Sequence, residues 1–376
     1  VLGLFLTFSV QAQVDRSQPK PGPAPKINIG KPQTFQLPNG LTVMVVENHK
    51  LPRVTASLNI DNAPYAEGSL AGLSQITGSL MGNGTSKISK DAYNEEIDFY
   101  GASLSLYASG GYASSLTKYF PRVLELMALG ATDPLFTQEE FDKEIAKAIE
   151  GLKADEKSVP STAARVSNVL AYGKTHPYGE YVTEETLKNI TLADVKQHYT
   201  NFFSPNNAYL IITGDIKFND AKKLVEKHFG KWKKGNSPRI DYPDPKDVQY
   251  TQINFVDMPN AVQSEISLIN INKLRMTDKD YFAVILANQI LGGDFNSYLN
   301  MNLREAHGWT YGARSNIGPT RYVSTFRASS SVRNAVTDSA VVEFLKEIKR
   351  IREEKVDEET LANVKAGYIG NFVMQI

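Results

Sequence analysis

Gln75 and Ser79 are the residues of this chain whose types and spacing bear most directly on its chemistry. They lie four residues apart in the segment 72–79, which the pattern predicts to be helical, so both side chains project from one helix face. Two histidines at that spacing can hold one zinc ion, and a glutamate directly before the second histidine activates the zinc-bound water. Positions 75 and 79 of this chain carry an amide and a hydroxyl, which are poor zinc ligands, and Gly78, directly before Ser79, has no side chain that could act as a base. We therefore predict that these positions hold no metal.

The other reactive residue types indicate no second reaction centre. The chain has 376 residues, 41 basic and 41 acidic side chains, and no cysteine, which excludes disulfides, thiol nucleophiles and cysteine-based zinc sites. The balanced charge gives no sign of a nucleic-acid partner. No two of the five histidines lie three or four residues apart, and we interpret each as a surface or supporting residue. Ser115 and Lys118 match the first motif of the penicillin-recognising enzymes, but its companion motifs are missing.

The N-terminal residues predict export. Residues 1–10 form an apolar run that is too short to span a bilayer, and a small-x-small cleavage pattern follows at residues 10–12. We interpret residues 1–12 as the remnant of a signal peptide and the proline-rich residues 13–33 as a disordered tether. The expected mature protein is exported, periplasmic, and without a membrane span.

Strand-like and helix-like patterns are interleaved along the rest of the chain. They predict an α+β fold of two homologous domains, each with an antiparallel sheet packed against helices. We place the N-terminal domain at 34–236, an interdomain linker with three prolines at 237–248, and the C-terminal domain at 249–376. The order strand, acidic loop, helix at 54–81 recurs at 262–291. We expect the C-terminal domain to continue beyond the last residue of this sequence.

Short motifs extend from about Phe35 to the C-terminus, and their order and spacing are more specific than any one of them. They are Pro38–Leu41, Glu67–Thr85, Asp133–Phe136, Phe141–Glu144, His176–Gly179, Gly214–Asp215, Leu291–Gly293 and Leu303–Tyr311. In this order they resemble the insulinase/pitrilysin superfamily of inverted-zincin metallopeptidases. The resemblance is greatest to a bacterial branch that is similar to the mitochondrial processing peptidase.

The resemblance implies a subunit without zinc. The superfamily places two histidines and a glutamate on the helix and takes a third ligand, also a glutamate, from a later long helix. Gly151 aligns with that third ligand, and Glu150 lies one residue away. Because Gly72 and Gly84–Thr85 flank the helix without a gap, the loss of ligands is not a shift of register. The degenerate positions are Gln75, Gly78, Ser79 and Gly151, and zinc is expected in a partner subunit.

The resemblance also implies substrate contacts in the second half of the chain. In related heterodimers the zinc-less subunit carries an arginine and a tyrosine seven residues apart, and Arg304 and Tyr311 match that pair. A guanidinium and a phenol are donors that suit a substrate carbonyl and the oxyanion that forms from it. Gly292 and Gly293 would free a loop near bound peptide. Ser105 lies on a strand that resembles the family's substrate-pairing edge strand, where an asparagine is usual.

The implied function is a zinc-less subunit that is inactive alone. It would bind peptide and supply Arg304 and Tyr311 to a zinc-bearing homologous partner. Two other functions stay open: an inactive peptidase fold that binds peptides or acts as a scaffold, and an autonomous zinc metallopeptidase with unrecognised ligands. A scaffold needs no oxyanion donors, and no spacing of histidines and carboxylates supports an autonomous site. At the level of single residues, Arg304 could form a salt bridge with nearby glutamates and Tyr311 could belong to the core.

Overall fold

The structure, a computed structural model, describes residues 30–235, 242 and 244–375. The predicted signal peptide, most of the tether and part of the linker 237–248 lie outside these residues.

The strands are β1 (Gln33–Gln36), β2 (Thr42–Glu47), β3 (Arg53–Ile60), β4 (Ser103–Tyr107), β5 (Gly110–Leu116), β6 (Ala208–Gly214), β7 (Gln263–Asn272), β8 (Ala313–Asn316) and β9 (Ser324–Arg333). The helices are α1 (Leu73–Leu80), α2 (Lys90–Phe99), α3 (Phe120–Thr132), α4 (Gln138–Asp155), α5 (Val159–Tyr172), α6 (Glu184–Asn189), α7 (Leu192–Phe202), α8 (Phe218–Phe229), α9 (Tyr281–Asn288), α10 (Tyr298–Asn300), α11 (Thr337–Glu353) and α12 (Glu358–Gln375), with π-helical segments at Gln289–Gly293 and Met301–Ala306. Together they confirm the predicted α+β class. None of the helices in the described part of the chain combines the length and the hydropathy that a bilayer crossing requires.

The first sheet has six strands in the order β1-β2-β6-β3-β5-β4. Alternation along β2, β3 and β6 places one face in the core, where residues such as Val43, Val54 and Leu210 are fully buried. All neighbouring pairs are antiparallel except β2 and β6, which run parallel. The sheet is therefore mixed rather than purely antiparallel, because β6 returns only after a long helical crossover.

Two groups of helices pack around this sheet. Phe120 of α3 and Phe229 of α8 join the main core above the strands. A separate apolar cluster holds α1, α4 and α6 together through Ile76, Phe141 and Leu187. The first group stabilises the sheet, and the second fixes α1 against α4, the two helices on which the degenerate positions lie.

The N-terminus of α4 has the cap that its sequence predicts. The Thr137 side chain accepts a hydrogen bond from the backbone N–H of Glu140, and Glu139 and Glu140 favour the positive end of the helix dipole. Because the cap fixes the residue at which α4 begins, it also fixes which residues of the later turns share a helix face.

The second sheet repeats part of the first. Its order is β7-β9-β8, with antiparallel pairing throughout, which matches the order β3-β5-β4 at one side of the first sheet. Its core contains Ile266, Leu303 and Phe344. The internal repeat that strand and helix order predicted is therefore present in the topology.

Helix α5 follows α4 in the chain but packs on the second sheet, and the sequence pattern did not reveal it. It begins after Ser158, whose side chain caps the backbone N–H of Ser161, and Pro160 sits in its first turn. Its residues contact β7 of the second sheet. A further contact between the two halves is the ion pair of Arg321 with Asp61, in which Nη1 lies 2.9 and 2.8 Å from the two carboxylate oxygens.

Candidate functional site

Two glutamates determine where α1 begins. Glu67 accepts hydrogen bonds from the backbone N–H groups of Gly72 and Ser74, at 2.7 and 2.8 Å. Glu180 accepts from the N–H groups of Glu67 and Gly68, at 2.8 and 2.7 Å. Hydrogen bonds to carboxylates are stronger than those between neutral groups, and a carboxylate is favourable at a helix N-terminus. Hydrogen bonds through Glu67 therefore connect the start of α1 to the segment that carries Glu180.

Gln75 and Ser79 of α1 face Gly151 of α4 across one cavity of about 550 Å³. Glu144 lies seven residues before Gly151, two helical turns away, and also lines the cavity. Three of the four degenerate positions are thus brought together, as the resemblance implied. The remaining walls include Ser161, Arg165 and Asn168 of α5, and Glu180, Tyr181 and Val182.

The donor set of this cavity does not fit zinc. Gln75 offers a neutral amide, Gly151 offers no side chain, and the Ser79 hydroxyl donates to the backbone oxygen of Gln75 at 3.1 Å. Glu150 is exposed and does not line the cavity. Zinc sites are built from imidazole, thiolate and carboxylate groups. Within residues 30–235, 242 and 244–375, no group of three or more His, Cys, Asp or Glu residues is placed to hold a metal ion.

Gly78 is required by packing. A Cβ atom at this position would lie 2.9 Å from the backbone nitrogen of Ala108 and 3.5 Å from the Cα of Tyr107. Helix α1 therefore lies directly against the turn between β4 and β5. The space that a catalytic glutamate would need is occupied by backbone.

Two helical glycines should respond to alanine in opposite ways. We expect Gly78→Ala to lower the free energy of unfolding by about 1–3 kcal/mol, because the turn at Ala108 must move. Gly151→Ala is the matched control, since its Cβ would meet nothing within 4 Å, and should raise stability by about 0.5–1 kcal/mol. Urea unfolding of both variants checks this. Equal effects of the two substitutions would contradict the close approach at Gly78.

Strand β4 forms one side of the first sheet, and Ser105 lies on it with its side chain exposed. The strand pairs with β5 through a two-residue turn closed by Tyr107 and Gly110. In such a hairpin the N–H and C=O groups of Leu104 and Leu106 point away from β5. No described strand pairs with that side, and α1 contacts β4. An extended peptide could therefore pair with β4 and run beside α1.

Arg304 and Tyr311 lie close together in sequence on the second half of the chain. Arg304 is on the π-helical segment Met301–Ala306, and its guanidinium lies 4.7 Å from the ring centroid of Phe295. Its single carboxylate neighbour among the described residues is Glu305, at 3.5 Å. Tyr311 follows in a turn and is 92% exposed. Tyr311 is not a core residue, and an ion pair as exposed as that of Arg304 and Glu305 is weak.

The expectation that Gly292 and Gly293 form a free loop is wrong. Both lie in the π-helical segment Gln289–Gly293, and a Cβ at Gly292 would lie 2.3 Å from the backbone nitrogen of Ser315. Gly292 allows this segment to pack closely on β8. Contact of either glycine with peptide stays a prediction.

The five histidines lie in separate environments, and none of them belongs to a metal-binding group of the described residues. His176 and His198 are buried rather than surface residues, and burial lowers the pKa of His198 to about 4 and that of His176 below its usual value. His49 Nδ1 lies 2.6 Å from Asp215 Oδ1, and the ring of His307 stacks on Trp309 at 4.0 Å. His228 is partly buried on α8, and burial lowers its pKa.

Comparison with known families matches most of the chain. A model described as Insulinase (Peptidase family M16) matches residues 42–175, and one described as Peptidase M16 inactive domain matches residues 189–368. The first range contains the helix with the degenerate positions, and the second contains Arg304 and Tyr311.

Individual relatives agree with these models. The mitochondrial-processing peptidase subunit beta of Blastocladiella emersonii is 23% identical over 72% of this chain, which spans 58% of that relative's length. The non-peptidase homolog YmxG of Helicobacter pylori is 20% identical over 88% of this chain and 77% of its own length. Among solved structures, the peptidase M16 inactive domain from Pseudomonas fluorescens superposes with a TM-score of 0.80 at 22% identity, over 92% of this chain and 86% of that one. The two family models together cover most of the chain, including α1, α4 and the segment with Arg304 and Tyr311, and they show that the chain belongs to the insulinase (M16) superfamily.

Proposed function

We propose that this chain is a non-catalytic subunit of a heterodimeric insulinase-type metallopeptidase, and that it supplies Arg304 and Tyr311 to a zinc-bearing homologous partner. The observation that carries the proposal is that these two donors have few partners among the described residues. Tyr311 is almost fully exposed, and Arg304 has one weak, exposed carboxylate neighbour in the described chain. Apart from Glu305 and the Phe295 ring, which both contact Arg304, the described residues give neither side chain an ionic or hydrogen-bonding partner.

The chemistry of the pair suits peptide hydrolysis in trans. A guanidinium and a phenol donate to a peptide carbonyl and donate more strongly to the oxyanion that forms when the carbonyl is attacked. Contact of the Arg304 guanidinium with the Phe295 ring limits its orientations before substrate arrives. The metal, the attacking water and the base must come from the partner, because the cavity of this chain holds none of their ligands.

The free side of β4 would hold the substrate. A peptide paired with Leu104 and Leu106 is extended, so the substrate class is an unfolded peptide or protein segment. Ser105 projects from the same strand and is exposed. We also propose that the protein is exported to the periplasm and that peptide hydrolysis by the pair takes place there.

A second candidate function is peptide binding without catalysis. The free side of β4 favours it, since peptide can pair there whether or not a partner is present. The two candidates differ in what they require of Arg304 and Tyr311, because a binding protein has no use for oxyanion donors.

The test of the proposed function is reconstitution. The partner to use is the homologue from the same genome that carries two histidines and a glutamate on the helix corresponding to α1. We expect the two chains to elute together in size-exclusion chromatography and to degrade an unfolded protein such as reduced casein, while this chain alone does not. Separate elution with no gain of turnover on mixing would overturn the proposal in favour of the binding protein.

A further inference from the structure

The cavity between α1, α4 and α5 is lined by Arg165, a cationic side chain without a carboxylate partner in the part of the chain that the structure describes. Arg165 lies on α5 with Ser161 and Asn168 on the same helix face, and all three line the cavity. No carboxylate oxygen of the described residues lies within 4.0 Å of the Arg165 guanidinium. The guanidinium carbon (Cζ) of Arg165 lies 5.7 Å from the ring centroid of Tyr181, a distance at which a cation is attracted to the ring face.

Each acidic residue of the same cavity has a hydrogen-bonding or ionic partner of its own, and Lys147, the partner of Glu144, also lines the cavity. Glu180 accepts two backbone N–H groups at the start of α1. Asp155 accepts the Ser161 hydroxyl at 3.1 Å, and Glu144 lies 3.8 Å from the ammonium of Lys147. Arg165 is therefore the cation of the cavity that has no carboxylate partner among the described residues.

Two neutral amides complete a donor set. Gln75 of α1 and Asn168 of α5 both line the cavity, and neither side chain hydrogen-bonds to another described residue. A guanidinium and two amide groups donate to a carboxylate, and the guanidinium can do so through two parallel bonds. The volume of about 550 Å³ lies in the range of small-ligand sites.

We propose that this cavity binds the free α-carboxylate at the C-terminus of a peptide, with Arg165 as the principal contact and Gln75 and Asn168 as supporting donors. The inference rests on the proposed function in one respect, since it takes peptide as the ligand. A peptide paired with β4 runs beside α1, and α1 forms one wall of the cavity. Because the cavity has no hydrolytic groups, the end of a peptide suits it better than a bond to be cleaved. In this proposal, the cavity lined by the degenerate positions binds the C-termini of cleaved or short peptides.

The test uses this chain alone, immobilised, with a pool of randomised decapeptides labelled at the N-terminus. One form of the pool ends in a carboxylate and the other in a carboxamide. We expect about tenfold stronger retention of the carboxylate form, which corresponds to one charge-assisted contact. Equal retention of the two forms, or retention of neither, would overturn the proposal.

Two variants locate the effect in the cavity. Arg165→Gln should reduce the carboxylate-to-carboxamide ratio to about one, whereas Arg333→Gln, at an exposed arginine on β9, should leave the ratio unchanged. Gly151→Leu fills the cavity without a close contact at its Cβ and should reduce retention of the carboxylate form. Thermal unfolding confirms that each variant is folded. An unchanged ratio in Arg165→Gln would refute the assignment, while turnover by the reconstituted pair tests the proposed function separately.

Discussion

Arg304→Ala should lower turnover by the reconstituted pair by about 10²- to 10³-fold, the usual effect of removing one oxyanion donor. The partner's zinc content should not change, because the role proposed for Arg304 is to bind substrate rather than metal. Tyr311→Phe should give a smaller loss, since the ring stays and only the phenolic donor is removed. The measurements are the initial rate on an unfolded substrate and zinc per heterodimer.

The structure supplies controls for this experiment. Tyr311 is exposed, so its substitution should not alter the thermal midpoint of the chain. Arg333→Ala removes another exposed arginine of the same half and should leave turnover unchanged. Full turnover in the Arg304→Ala pair would remove the residue from the catalytic centre, and loss of zinc would show that its effect is structural.

The triple variant Gln75→His, Ser79→His, Gly151→Glu should gain one zinc ion per chain, while the wild-type chain retains none after dialysis. The three positions line one cavity, and a Cβ at Gly151 meets nothing within 4 Å, so the new glutamate has room. Two imidazoles on one helix face and a carboxylate from a second helix form a ligand set that zinc prefers. Metal analysis after incubation with zinc and dialysis gives the answer directly.

The same variant separates metal binding from catalysis. It should remain inactive because Gly78 offers no base, and adding Gly78→Glu should destabilise the chain through the contact with Ala108. The double variant without Gly151→Glu should hold zinc more weakly. About one zinc in the wild type would contradict the interpretation of Gln75 and Ser79, and no zinc in the triple variant would contradict the cavity geometry.

The predicted helix frame was a reliable guide to the cavity. Gly72 and Gly84 fixed the register of α1, and the family resemblance placed Gly151 at the position of the third ligand, so Gln75, Ser79 and Gly151 were expected to lie near one another. Local signals of this kind depend on neighbours in sequence. Glu150, one residue from the aligned position, does not line the cavity, because one residue along a helix changes the face by about 100°.

The features that sequence did not reveal depend on contacts between distant segments. The cap at Ser158 and Pro160 would have located α5, but the cavity toward which Arg165 projects is set by packing against α1 and α4. The close approach of Gly78 to Ala108 depends on where the β4–β5 turn lies. Gly292 was interpreted from glycine's freedom, whereas its role comes from Ser315, more than twenty residues away. Residue type alone cannot distinguish a flexible glycine from a tightly packed one.

The position of β6 has a consequence for biogenesis. This strand lies between β2 and β3, although it follows them by about 150 residues in the chain. Until the ribosome has released residue 214, the β1–β2 hairpin and the β3–β5–β4 meander have no strand to join them. Closing so long a loop is slow, because distant contacts form only after their entropic cost is met. Under the proposed export, this delay would keep the nascent chain unfolded during its passage through a secretion channel.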